Sequence, residues 1–128
     1  MNLLLDTHVA LWAITDSDRL SRTARELITA DRAVVWVSVV SLWEIAIKHS
    51  LGRGDMPVSA KAAAGYFRAS GFRVLAIQAE HTMGIEDLPA IHADPFDRLL
   101  VAQALAEPMR LLTHDALVAR YSDTIIAV

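Results

Sequence analysis

The chain has 128 residues and a mass of 14.0 kDa, enough for one well-filled core and too little for two. A composition that is 54% hydrophobic, with five Gly and four Pro, excludes a disordered or low-complexity chain, and the absence of Cys excludes disulfide scaffolds, thiolate zinc sites and cysteine nucleophiles. Twelve Lys and Arg against 15 Asp and Glu give a net charge of −3, so any grip on nucleic acid must come from a local basic rim or from metal ions.

The start, Met1 to Asp6, has no basic segment and meets a carboxylate too early for a signal peptide. The longest nearly apolar run, residues 33–43, is too short to cross a bilayer. A single domain over residues 1–128, in the cytoplasm, is the expectation. Short runs rich in Val, Leu and Ile predict strands over 2–5, 34–38, 73–77, 110–113 and 124–127. Each is apolar at nearly every position, as suits strands covered on both faces. Between them the patterns predict helices over 8–13, 21–30, 39–51, 59–70, 79–87, 95–107 and 115–121. Ser21 and Ser59 fit N-caps, residues 52–57 a loop, and Gly71 a helix stop. The alternation predicts an open α/β sheet with right-handed crossovers. Ligands of such sheets bind at the carboxyl ends of the strands, where the strand order reverses.

The carboxylates are therefore the informative residues. Asp6 directly follows the first strand, and Asp115 follows Thr113 by two positions; each also fits an ordinary N-cap or turn. Glu44 lies in Val39-Val40-Ser41-Leu42-Trp43-Glu44-Ile45-Ala46-Ile47-Lys48, a helix apolar almost all round and so expected to be buried. Lys48, four residues on, makes a solvated ion pair the bland reading; a carboxylate on the rim of a buried helix otherwise needs a cation or a metal. In His92-Ala93-Asp94-Pro95-Phe96-Asp97-Arg98, Asp94 fits the N-cap, Pro95 the first helical position and Asp97 the third. Capping leaves Arg98 unexplained, and a helix N-terminus would keep Asp97 ionised. At about 4 Å and an effective dielectric near 20, each pair of these carboxylates repels by roughly 4 kcal/mol. Their convergence is reasonable only around divalent cations, and an oxygen-only shell suits Mg²⁺ or Mn²⁺, which commonly work on phosphates.

Leu3-Leu4-Leu5-Asp6-Thr7-His8, Ser41 to Lys48, His92 to Ala104 (containing Asp-Pro-Phe-Asp-Arg) and Leu112-Thr113-His114-Asp115 span the chain. In this order they resemble the PIN-domain nucleases, and most of all the VapC-type toxins of bacterial and archaeal toxin–antitoxin pairs. The resemblance implies one PIN domain: a three-layer α/β/α sandwich with a central parallel sheet of four or five strands. It implies a metal-dependent endoribonuclease that hydrolyses RNA phosphodiester bonds with Mg²⁺- or Mn²⁺-activated water, leaving a 5′-phosphate and a 3′-hydroxyl. The family's acidic quartet maps onto Asp6, Glu44, Asp97 and Asp115, as catalytic and metal-holding residues, with Thr113, Asp94 and Arg98 accessory. It also implies a homodimer and a small VapB-type antitoxin whose C-terminal segment occupies the groove. Arg98, Lys48, Arg53 and Arg19 are the candidate bases for holding RNA.

Other readings compete. His8, His92 and His114 each lie near an Asp, and His114-Asp115 suggests a His/Asp phosphohydrolase; that class is nearly all helical, against the Val-rich strands. Trp12, Trp36 and Trp43 could stack on bases, but their apolar settings favour core positions. Residues 60–67 could mediate dimerisation or pack within the monomer. A phosphoryl-accepting receiver or phosphatase shares Asp at strand ends, yet residues 110–128 hold no Lys for a receiver, and His8 stands where a haloacid-type phosphatase needs Asp. A non-catalytic interaction module on the same fold is the third class.

Overall fold

A computed structural model describes residues 1–52 and 56–128. The strands Asn2–Leu5 (β1), Val34–Ser38 (β2), Arg73–Leu75 (β3), Arg110–Thr113 (β4) and Ile126–Ala127 (β5) form one sheet, in the order β3-β2-β1-β4-β5. Every pairing is parallel. The helices are Thr7–Thr15 (α1), Arg22–Thr29 (α2), Val39–Ser50 (α3), Ala60–Ala69 (α4), Ala79–Gly84 (α5), Pro95–Ala106 (α6) and Ala116–Ala119 (α7), with a 3₁₀ turn at Ile85–Asp87.

Side chains of a strand alternate between faces, and the two halves of the core follow that period. Leu3 and Leu5, with Val35 and Val37, pack against Val9, Ala10 and Leu11 of α1, Ala24 of α2 and Phe67 of α4. Leu4 and Leu111 face the other way, onto Leu99, Leu100, Val101 and Ala104 of α6 and Val118 of α7. The result is the expected α/β/α sandwich. Central β1 has Leu3, Leu4 and Leu5 fully buried, which is why that strand reads as an unbroken apolar run.

Ser38 turns β2 into α3 with no intervening loop. Its hydroxyl accepts from Val40 N–H and donates to Gln103 Oε1 on α6, fixing α3 against α6. Ser21 and Ser59 cap α2 and α4 as expected, and Gly71, at φ +80°, takes the left-handed conformation open to glycine at a helix stop.

Several boundaries differ from expectation. β3 ends at Leu75 rather than 77, because its partner β2 ends at Ser38 and leaves Ala76 and Ile77 no ladder to join. β5 is confined to Ile126–Ala127, opposite the last two residues of β4, while Ser122 and Thr124 form a turn. α1 runs from Thr7, capped by Asp6, to Thr15. α7 closes after Ala119 instead of 121. Residues 53–55 of the expected 52–57 loop lie outside the described residues, and so does the candidate base Arg53.

The expectation of an all-round buried α3 is also corrected. Its inward stripe is Val40, Ser41, Glu44 and Ile45, whereas Trp43 is 51% exposed and rests edge-on against Phe96, ring centres 4.9 Å apart. Trp12 and Trp36 are half-buried rather than core, the latter donating from Nε1 to Asn2 Oδ1. In α4, Ala63 and Phe67 point inward and Tyr66 outward.

Candidate active site

The strand order reverses between β1 and β4: the chain winds from β1 out to β3 and then crosses back to the other side of β1. At this switch point the carboxyl ends of neighbouring strands feed loops that separate, leaving a crevice. A cleft of about 480 Å³ lies there, lined by Asp6, His8, Glu44, Lys48, His92, Asp94, Asp97, His114, Asp115 and Ala116. Asp6, Glu44, Asp97 and Asp115, from four separate elements, thus share one cleft.

Asp6 closes β1 and caps α1. Its Oδ1 accepts Val9 N–H at 2.8 Å; its Oδ2 accepts Thr113 Oγ1–H at 2.7 Å and His114 N–H at 3.0 Å. It is only 6% exposed, and burial pushes its carboxyl above the ordinary carboxylate range against the pull of those three donors. Thr113 Oγ1 also accepts Asp115 N–H at 3.0 Å, so one hydroxyl ties the two acids together. Asp115 in turn accepts Leu117 N–H and caps α7. For Asp115, the cost of burial is outweighed by the His92 hydrogen bond and the helix amides, so its carboxyl lies below the ordinary range.

Glu44 is 4% exposed and its charge is met twice. Thr7 Oγ1 donates to Oε1 at 2.7 Å and lies 2.9 Å from Ser41 Oγ, while Lys48 Nζ reaches Oε2 at 2.7 Å. The Glu44–Lys48 pair therefore exists, on a buried carboxylate rather than in solvent. Asp94 accepts Phe96 and Asp97 N–H and caps α6, with Pro95 in the first turn. Asp97, on the next turn of chain, is pushed up to about 7 by its burial and then by the Asp94, Asp6 and Glu44 carboxylates, with His92 pulling the other way. That mutual repulsion is the electrostatic signature of acids brought together.

The tightest group in the cleft is not the quartet. His92 Nε2 and one oxygen each of Asp97 and Asp115 lie within 4.8 Å of one another. His92 Nε2 is 2.9 Å from Asp115 Oδ2 and 3.3 Å from Asp97 Oδ2. Carboxylate oxygens keep spare lone pairs beside the hydrogen bonds they accept, so the Asp97 and Asp115 oxygens fit a hard divalent cation. A three-His site does not form among the described residues: His8 and His114 instead flank the Trp12 ring at 5.9 and 4.8 Å.

Of the candidate bases for RNA, Lys48 lines the cleft. Arg98 does not; its guanidinium donates to the carbonyls of Ile85, Pro89 and His92 and to Tyr121 Oη. Arg19 is exposed and also lies outside the cleft lining. Sequence reasoning missed Thr7, Ser41 and Tyr121, and set His92 aside. Thr7 sits next to Asp6 and Ser41 three residues before Glu44, a spacing that puts Ser41 and Glu44 on one helical face. Tyr121 carried no signal.

Fold and cleft together define an α/β protein with an acidic, cation-fitting site at its sheet switch point. The PIN-domain family model matches residues 3–123, and the chain belongs to the PIN-domain family. No curated protein matches it. Among solved structures, it superposes on a chain of VapBC2 from Rickettsia felis, bound to a DNA fragment from their promoter. The TM-score is 0.70 at 18% identity, covering 100% of this chain and 98% of that one. DNA-bound VapBC from Salmonella typhimurium gives 0.70 at 15% identity, over 100% and 97%. A toxin–antitoxin complex from Klebsiella pneumoniae gives 0.67 at 13%, over 98% and 96%. At such identities the likeness is one of fold. Among the described residues, no helix is long and apolar enough to cross a membrane.

Proposed function

We propose that the chain is a metal-dependent endoribonuclease, the toxin of a VapBC-type toxin–antitoxin pair, acting in the cytoplasm as one PIN domain over residues 1–128. The observation that carries this reading is Asp97. Its carboxyl faces Asp94, Asp6 and Glu44 in one cleft and is driven to about 7 by burial and by those charges. Glu44 there has Lys48 against it.

Asp6, Asp97 and Asp115 would hold Mg²⁺ or Mn²⁺, with Glu44 beside them and Asp94 within reach through water. The bound ion supplies Lewis acidity and a water activated for attack on phosphorus. The chain's own residues do the positioning. Thr113 and two backbone amides hold Asp6 rigid, while Thr7 and Lys48 orient Glu44. Hydrolysis of the bond from phosphorus to the 3′-oxygen would consume one water and leave a 5′-phosphate and a 3′-hydroxyl. The likeness to toxin–antitoxin complexes supports a VapB-type antitoxin partner, whose C-terminal segment would fill the cleft; the chain would itself pair as a homodimer.

The test is cleavage of end-labelled RNA by purified protein freed of any antitoxin. Cleavage with Mg²⁺ or Mn²⁺ should vanish in excess EDTA and in Asp6→Asn and Asp97→Asn variants that keep the native circular dichroism. Cleavage that persists unchanged in EDTA overturns the reading.

A further inference from the structure

The group between Asp97 and Asp115 is an imidazole, and its surroundings decide what it does there. On the far side of the ring from the two acids, His92 Nδ1 accepts the Asp94 backbone N–H at 3.2 Å. A ring nitrogen that accepts carries no proton, so the neutral ring bears its proton on Nε2. That N–H donates to Asp115 Oδ2 at 2.9 Å, while Asp97 Oδ2 lies 3.3 Å from Nε2 without accepting from it. A metal-ligating Nε2 would have to be bare.

The residue is itself pinned from behind. His92 N–H donates to Tyr121 Oη at 2.8 Å. The His92 carbonyl accepts from Tyr121 Oη at 3.3 Å and from Arg98 at 3.4 Å. Arg98 also grips the carbonyls of Ile85 and Pro89 upstream and Tyr121 Oη itself. An arginine beside the cleft acid Asp97 thus serves the loop before α6 and not the cleft.

We propose that His92 is a positioning residue: its Nε2–H holds Asp115 beside Asp97, leaving the other lone pairs of Asp115 and the oxygens of Asp97 for a divalent cation, while Arg98 and Tyr121 hold His92 in place. This rests on the metal-dependent reading of the cleft. A donor that orients a ligating carboxylate without touching the ion commonly accounts for about 10–100-fold in metal affinity.

The experiment is calorimetric titration of Mn²⁺ into wild-type, His92→Ala, His92→Gln and Tyr121→Phe proteins, with ¹⁵N imidazole NMR of the metal-free wild type. Gln sets an amide N–H where the Nε2–H stood. Affinity should fall about 10–100-fold in His92→Ala and recover to within about threefold in His92→Gln. Tyr121→Phe should give a smaller loss, and the metal-free ring should be the Nε2–H tautomer. His92→Ala binding as tightly as wild type, or tighter, overturns the proposal. So does an Nδ1–H tautomer, or a His92→Gln variant as weak as His92→Ala, since both mark a direct ligand. Wild-type protein that binds no Mn²⁺ overturns the metal reading as a whole; wild-type binding that survives His92→Ala overturns only the part given to His92.

Discussion

Thr113 Oγ1 donates to Asp6 Oδ2 across 2.7 Å, joining the end of β4 to the end of β1 over 107 positions of sequence. The same hydroxyl accepts Asp115 N–H, so a single side chain sets two acids at the switch point. Thr113→Val keeps the shape and removes the donor from a buried carboxylate. It should cost about 2 kcal/mol in urea unfolding and weaken Mn²⁺ binding, with Thr113→Ser recovering most of both.

The metal-free protein should become more heat-stable as pH falls from 8 to 5. Asp97 titrates at about 7 when folded against its ordinary 3.8. A raised carboxyl favours the folded state wherever it is protonated there. Its contribution is complete below 3.8 and is lost as pH rises through about 7. Asp6 is raised and acts in the same direction; Asp115 is lowered, so its contribution is lost only as pH falls through its own folded value, at the acid end. Scanning calorimetry should show a Tm that climbs toward pH 5 in wild type, a flatter profile in Asp97→Asn, and recovery of Tm at pH 8 on adding Mn²⁺. A wild-type profile identical to that of Asp97→Asn contradicts this.

Lys48 is the cation against buried Glu44, and removing it strands a charge. Lys48→Met should cost about 2–3 kcal/mol, at or just below the low end of the range for breaking a buried pair because Lys48 itself is partly exposed. Glu44→Gln, which removes the charge and keeps an acceptor for Thr7, should cost less. Urea unfolding of the two variants checks the order.

Trp43 tests the corrected view of α3. Truncation of a buried Trp costs about 3–5 kcal/mol, whereas an exposed ring resting edge-on against Phe96 should lose only about 1 kcal/mol in Trp43→Ala. A loss in the larger range would return Trp43 to the core.

How much of this was legible in sequence follows from where each determinant lies. β1, β2 and β4 could be read because their apolar runs end where the strands end; Asp6 and Asp115 followed because they stand just beyond. β3 was read too long because its end is set by β2 turning into α3, a property of the partner strand. The exposure of Trp43 depends on which side of α3 meets α1, α4 and α6, which composition does not encode. The acids of the cleft were visible as types at strand and helix ends. Their partners were not: Thr7 meets Glu44 37 positions away, and His92 meets Tyr121 29 positions away. Asp97 and Arg98 show the limit most plainly. Neighbours on a helix point about 100° apart, and so the acid enters the cleft while the base grips the loop behind it.

In the proposed function, Asp6, Asp97 and Asp115 hold a divalent cation at the switch point between β1 and β4, with Glu44 beside them. Anomalous diffraction at the manganese edge, from crystals grown with Mn²⁺, tests it most directly. The expected result is a peak in the cleft coordinated by carboxylate oxygens of Asp6 and Asp97 and absent from Asp97→Asn crystals. A cleft without a peak at saturating Mn²⁺, or manganese bound only elsewhere, would contradict it.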